Sequence, residues 1–170
     1  PNGDIFDMDN LFRGGDMVAN VTGVLDYSYE LYRIQPTQGA DYTPVNPRPT
    51  APDEVGGRLN IAAMNTLNYF LTINTGVPIC GPEQDMDCRG ADTAEELARQ
   101  RAKLLQALYG LDASVIGLNE LENTPGVEPL ADLVAGLNEL YGYEAYAYID
   151  TGVIGTDAIR VGILYRIADV

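Results

Sequence analysis

Hydrophobic and polar positions change pattern twice along the chain. In DMVANVTGVLDYSYELYRI, β-branched and aromatic residues alternate in part with polar ones, with a break at Gly23. That pattern predicts short β-strands within residues 1–35. Pro36 to Gly57 has no period and holds five of the chain's ten prolines with three glycines. It reads as an extended linker or long surface segment over 36–57. From Arg58 a third pattern begins. RLNIAAMN predicts a strand ending at Asn65, followed by a long irregular excursion. DTAEELARQRAKLLQALYG predicts a helix with Thr93 as N-cap, Glu96 completing a capping box and Gly110 as the stop. Its apolar stripe is Leu97, Leu104, Leu105 and Leu108. ASVIGLN, almost wholly apolar, predicts a strand in a sheet covered on both faces. Strand, helix and strand make a parallel pair with a right-handed crossover. A second helix follows in EPLADLVAGLNELYG, with Pro129 in its first turn and Gly142 past its end. YEAYAYID and AIRVGILYR then predict two strands joined as a hairpin, which makes the sheet mixed. The class expected is α/β (α+β), with a β-rich segment in front.

A chain of 170 residues can bury a sizeable core, and 46% hydrophobic content is ordinary. Residues 1–35 are too few to fold alone and read as the last strands of a preceding domain. No apolar run approaches the ~20 residues of a membrane span. The opening PNGDIFDMDN is acidic and polar, unlike a signal peptide, so a mature or trimmed chain is expected. The net charge of −15 repels polyanions at long range. A nucleic-acid ligand therefore requires a local basic patch or bound cations, and the plainer reading of the acidity is solubility. There is no histidine. That removes the usual general base, any Ser-His-Asp or Cys-His site, and most zinc chemistry. Oxygen ligands remain, which suit Mg²⁺, Mn²⁺ or Ca²⁺. Cys80 and Cys88 lie in the turn-rich CGPEQDMDC, and a local disulfide is expected, implying an oxidising compartment. The alternative is two free thiols in a mobile loop.

The stretch VIGLNELEN ends a strand in two carboxylates and two amides. If the two parallel strands are neighbours, Asn65 meets Asn119 and Glu120 at one sheet edge, where sites form in open α/β sheets. One carboxylate and one amide are half of a hard-cation site. The bland alternative for Glu120 is a solvated loop residue or helix cap.

NIAAMNTLNYF, CRGADTAEELARQRAKLLQAL, DASVIGLNELEN and IGTDAIRVGILYR, taken together, resemble the endonuclease/exonuclease/phosphatase (DNase I-like) superfamily. The CRGAD, helical Arg-Gln and GTDAIRVG elements resemble its extracellular nuclease branch. The resemblance covers residues 58–170, and residues 1–35 resemble the end of an OB-like domain. It implies a four-layer αββα sandwich, of which 58–170 is the N-terminal half. It implies a secreted protein that hydrolyses phosphodiester bonds of DNA or RNA with Mg²⁺ (Mn²⁺ or Ca²⁺ as alternatives). Glu120 then stands at the metal-binding glutamate and Asn65 at the asparagine that holds metal and scissile phosphate. Asn119 falls where many relatives carry Gln. Arg160 lies on a strand that approaches the substrate backbone, with a solvent-facing edge residue as the alternative. Asp157 either caps the hairpin or orients Arg160, and Asn68 reads as a turn cap. The family's later Asp-x-Asn and Ser-Asp-His elements are absent. This chain is therefore expected to supply half an active site, to be inactive alone, and to cover its sheet with the missing half or a second copy. Other readings are a phosphatase or phosphodiesterase of the same superfamily acting on a lipid or inositol substrate, or a non-catalytic secreted binding module.

Overall fold

The computed structural model describes residues 11–170, so the first ten residues of the expected 1–35 segment lie outside it. The chain divides into two compact units, Pro1–Thr50 and Ala51–Val170. In the first, β1 (Met17–Ala19) pairs antiparallel with β4 (Asp41–Thr43), and β2 (Gly23–Ser28) with β3 (Leu31–Pro36). Tyr29 and Glu30 join β2 to β3 with φ of 50° and 62°, the double positive φ of a type I′ hairpin turn. Tyr27 and Tyr32 face each other across this hairpin at 4.8 Å. Strand β4 lies inside the expected linker. Asp41–Thr43 finds the edge of β1, and Pro44 follows, which cannot donate to the ladder. Asp16 ties the far end of this segment, accepting from the N–H groups of Arg13, Val45 and Asn46 at 2.7, 3.1 and 2.9 Å.

The second unit carries one mixed sheet in the order β5-β6-β8-β7. Strand β5 (Ile61–Tyr69) runs parallel to β6 (Val115–Glu122). Strands β8 (Ile159–Arg166) and β7 (Tyr146–Tyr148) complete it antiparallel. Helix α1 (Ala94–Leu111) starts as predicted: Thr93 Oγ accepts from the Glu96 N–H at 3.2 Å. The returning Glu96 carboxylate caps the Asp92 N–H at 3.1 Å, one residue before the expected partner. Gly110 does not stop the helix. It lies inside the last turn, and Asp112 caps the end at φ 45°. Helix α2 (Pro129–Tyr141) has Pro129 in its first turn and ends at Gly142, φ 76°.

Both helices cover one face of the sheet. Leu105, Leu108, Leu133 and Leu137 pack with Ile116, Leu118 and Leu164 in one buried cluster. The opposite face presents Ile61, Val161 and Ile163, which are 80%, 55% and 42% exposed. The expectation that β6 is covered on both faces therefore fails among the described residues of the second unit, whose helices and sheet form two layers. Cys80 and Cys88 are bonded as expected. The bridge is not in an exposed loop but packs with Phe70 and Ala158 in a small second core. Among the described residues no helix is long and apolar enough to cross a membrane.

Candidate metal and phosphate site

The sheet ladder breaks on both sides of Glu120. Asn65 pairs with Asn119, but the next β5–β6 pair is Tyr69 with Leu121, so residues 66–68 loop out opposite Glu120. On the other side Leu118 pairs with Gly162 and Leu121 with Arg160, so Asn119 and Glu120 together oppose Val161. This is a β-bulge, a device that re-aims side chains next to functional sites. Glu120 takes φ 63°, and Leu67 and Asn68 take 57° and 55°. Each non-glycine residue in this region costs of order 1–3 kcal/mol, so the surroundings must impose it.

The surroundings are visible. The buried Thr66 hydroxyl donates to the carbonyls of Asn119 and Glu120, at 2.8 and 3.1 Å. Gln100 on α1 donates to the carbonyls of Thr66 and Leu67, at 3.1 and 2.9 Å. One side chain thus closes the bulge and another pins the 66–68 excursion to the helix. The result is a fixed carboxylate. Glu120 Oε1 accepts from Asn65 Nδ2 at 2.7 Å and Oε2 accepts from the Asn68 N–H at 3.1 Å. Asn65 Oδ1 in turn accepts from the Leu67 N–H at 2.7 Å.

The structure brings together Asn65, Asn119 and Glu120 at the register break within β5 and β6; β5 does not end at Asn65 as expected but resumes pairing at Tyr69 after the 66–68 excursion. Asn65 and Asn119 are exposed, and Glu120 is half-buried. With one donor on each oxygen, Glu120 keeps lone pairs for a cation. Among the described residues no group of three acidic, Cys or His side chains gathers. Mg²⁺ is commonly held by one or two carboxylates with water and substrate phosphate, so this donor set fits such an ion. Asn65 chiefly orients Glu120, since its Nδ2 and Oδ1 are both engaged.

Arg160 is a correction. Its side chain is 2% exposed and pairs with Glu128 at 2.9 Å. Its Nε donates to the Glu122 carbonyl at 3.1 Å, and a third bond goes to the Gly152 carbonyl. It braces the connection before β8 and leaves no face for a substrate. Asp157 does not orient it. Asp157 Oδ1 caps the Ala158 N–H at 2.6 Å and pairs with Arg89 at 2.7 Å. Asn68 contributes its backbone N–H rather than a turn-capping side chain.

The other two polar residues of VIGLNELEN are structural. Glu122, fully buried, accepts from the N–H groups of Leu71 and Thr72 and from the Thr72 hydroxyl, at 2.8, 3.0 and 2.6 Å. Asn123 holds the 154–157 loop through Ile154 and Asp157. Sequence reasoning missed Thr66 and Gln100 as supports. Their signals were a β-branched hydroxyl beside the strand-end amide and a polar residue on the inner side of an amphipathic helix. Comparison with family models, curated proteins and solved structures finds no match to this chain.

Proposed function

We propose that the chain supplies the metal-binding half of a phosphodiesterase site acting on DNA or RNA. The observation that carries this reading is the paired register break that turns Glu120 outward, with its carboxylate fixed by Asn65 and the Asn68 N–H. A solvated loop glutamate or a helix cap needs neither a strained backbone nor two fixed donors. The resemblance of residues 58–170 to DNase I-like nucleases supplies the chemistry. Glu120 holds a divalent cation, Mg²⁺ first, and Asn65 keeps the carboxylate aimed. When bound, such an ion stabilises charge on the phosphate. Asn119, exposed beside Glu120, would donate to a phosphate oxygen on this reading. The chain has no histidine, so the His and Asp that activate water in the resembled family come from outside these residues, and the chain alone is inactive. The disulfide fits a secreted protein.

In the complete protein, Glu120→Gln is expected to lower Mg²⁺-dependent cleavage of labelled DNA or RNA by at least about 100-fold. The fold should be kept, because Gln has the size of Glu and keeps one of its two acceptor oxygens, and the position is only half-buried. Undiminished cleavage would sink the assignment. A lipid or inositol phosphate substrate remains the second reading from the resemblance, and the same variant tested on such substrates separates the two.

A further inference from the structure

A basic cleft adjoins the loop that holds Glu120. It encloses about 450 Å³, within the roughly 300–1,000 Å³ of small-ligand sites. Leu67 and Asn68 form one side, and Arg89, Arg99, Gln100 and Lys103 form the others. Three of the chain's ten basic residues thus line one cleft in a protein of net charge −15. Glu96 also lines it, one carboxylate oxygen accepting from the Asp92 N–H, so the lining holds three cations against one carboxylate.

Arg99 follows Glu95 and Glu96 at helix-pairing distances of four and three residues, yet it forms no ion pair with either among the described residues. Arg99 and Lys103 are four residues apart on α1, a repulsive spacing for like charges. Both are exposed, and among the described residues neither forms an ion pair. The last turn of α1, where the helix dipole favours cations, carries none. Arg89 pairs with Asp157, but both side chains are about half exposed, at 45% and 55%. Such a pair is readily exchanged for another anion. Gly90 seats Arg89 at the rim: a Cβ there would lie 2.4 Å from Phe70 Cβ, so only glycine allows this approach. Gln100 bonds the 66–68 excursion, and Asn68 contacts Glu120. Cleft and carboxylate are therefore joined through one rigid loop.

We propose that this cleft binds the phosphodiester backbone of the nucleic acid flanking the phosphate held at Glu120. That the occupant is substrate rests on the nuclease reading above, whereas the anion site stands on the cleft itself. At physiological salt the net negative charge is screened beyond a Debye length of about 8 Å, so at close range the local charges decide whether a polyanion is held or repelled. Close contact therefore needs a local basic surface, and Arg89, Arg99 and Lys103 supply one.

The test is fluorescence anisotropy of a short labelled single-stranded oligonucleotide with the chain, over a salt series, beside an Arg99→Gln/Lys103→Gln double variant. Both side chains are exposed and form no ion pair among the described residues, so the variant should keep its circular dichroism spectrum. Affinity is expected to fall at least tenfold. The log–log salt slope is expected to become shallower by about 1.4, from two lost phosphate contacts. An uncharged methylphosphonate oligonucleotide should not bind, and millimolar inorganic phosphate should not displace the natural one. Absence of binding, equal affinity and slope in the double variant, equal binding of the uncharged backbone, or displacement by free phosphate would each overturn the proposal. If the complete protein fails to cleave while Arg99 and Lys103 still carry binding, the nuclease reading falls and the cleft stands. If the double variant cleaves with unchanged KM, the cleft falls and the nuclease reading stands.

Discussion

Among single residues, Glu120 and Arg160 show how far a local pattern reaches. Glu120 stood out because an apolar strand ran out into carboxylates and amides beside a second strand ending in Asn65. Those are short-range features, and the two side chains do meet, at 2.7 Å. The positive φ at Glu120 and the staple from Thr66 could not be read, because they depend on how three strands fall out of register together. Arg160 failed for the opposite reason. On an alternating strand it reads as an outward cation, but its partners come from distant segments, Glu128 at the start of α2 and the Gly152 carbonyl. A buried Arg is stable only with such partners, and sequence spacing does not reveal them. Tyr69 closes the 66–68 excursion in a similar way, donating to Asp132 at 2.5 Å. Burial, and then the neighbouring Asp132 carboxylate, push its phenol well above the ordinary value of 10. The neutral phenol is the form the fold favours. Its stabilisation is therefore complete below pH 10 and is lost as pH rises past it. Tyr69→Phe should cost about 1.5–3 kcal/mol at neutral pH, the range for a hydrogen bond to a charged group, and flatten the loss of stability above about pH 10. Thermal melts across that range check this, and an equally steep alkaline loss in the variant would count against it.

Among elements, both helices and the existence of the sheet strands of the second unit were legible from period and caps, while the continuation of β5 from Asn65 to Tyr69 was not. The Thr93 cap and the Leu105 and Leu108 stripe are intrinsic to the helix sequence and needed no tertiary knowledge. Gly110 misled because a glycine near a helix end competes with the next residue able to take a left-handed conformation. Asp112 takes it, and its carboxylate is engaged by Tyr141 and Arg166. The β4 strand was hidden in a proline-rich stretch. Three residues are enough when an edge such as β1 is available, and composition averages them away. The basic face of α1 was visible as letters but not as a cleft, since Arg89 and Asn68 reach it from other segments.

For the whole molecule, the two-layer arrangement leaves Ile61, Val161 and Ile163 exposed on one sheet face. The resembled fold covers such a face with a second sheet. We expect this chain alone to cover it by self-association, because contiguous apolar surface of that kind is rarely left in water. Sedimentation should show a dimer or larger species, and Val161→Glu with Ile163→Lys should return it to a monomer. A monomeric unmodified chain would contradict that expectation. Charge is distributed unevenly over this acidic molecule, with Arg89, Arg99 and Lys103 gathered in the cleft beside the loop that holds Glu120. The nuclease reading then turns on whether Glu120 holds a divalent ion. The direct measurement is calorimetric titration of Mg²⁺ and Mn²⁺ into the chain and into its Glu120→Gln variant. Binding to the unmodified chain that disappears in the variant is the predicted result. Equal binding by both, or none by either the chain or the complete protein, would contradict it.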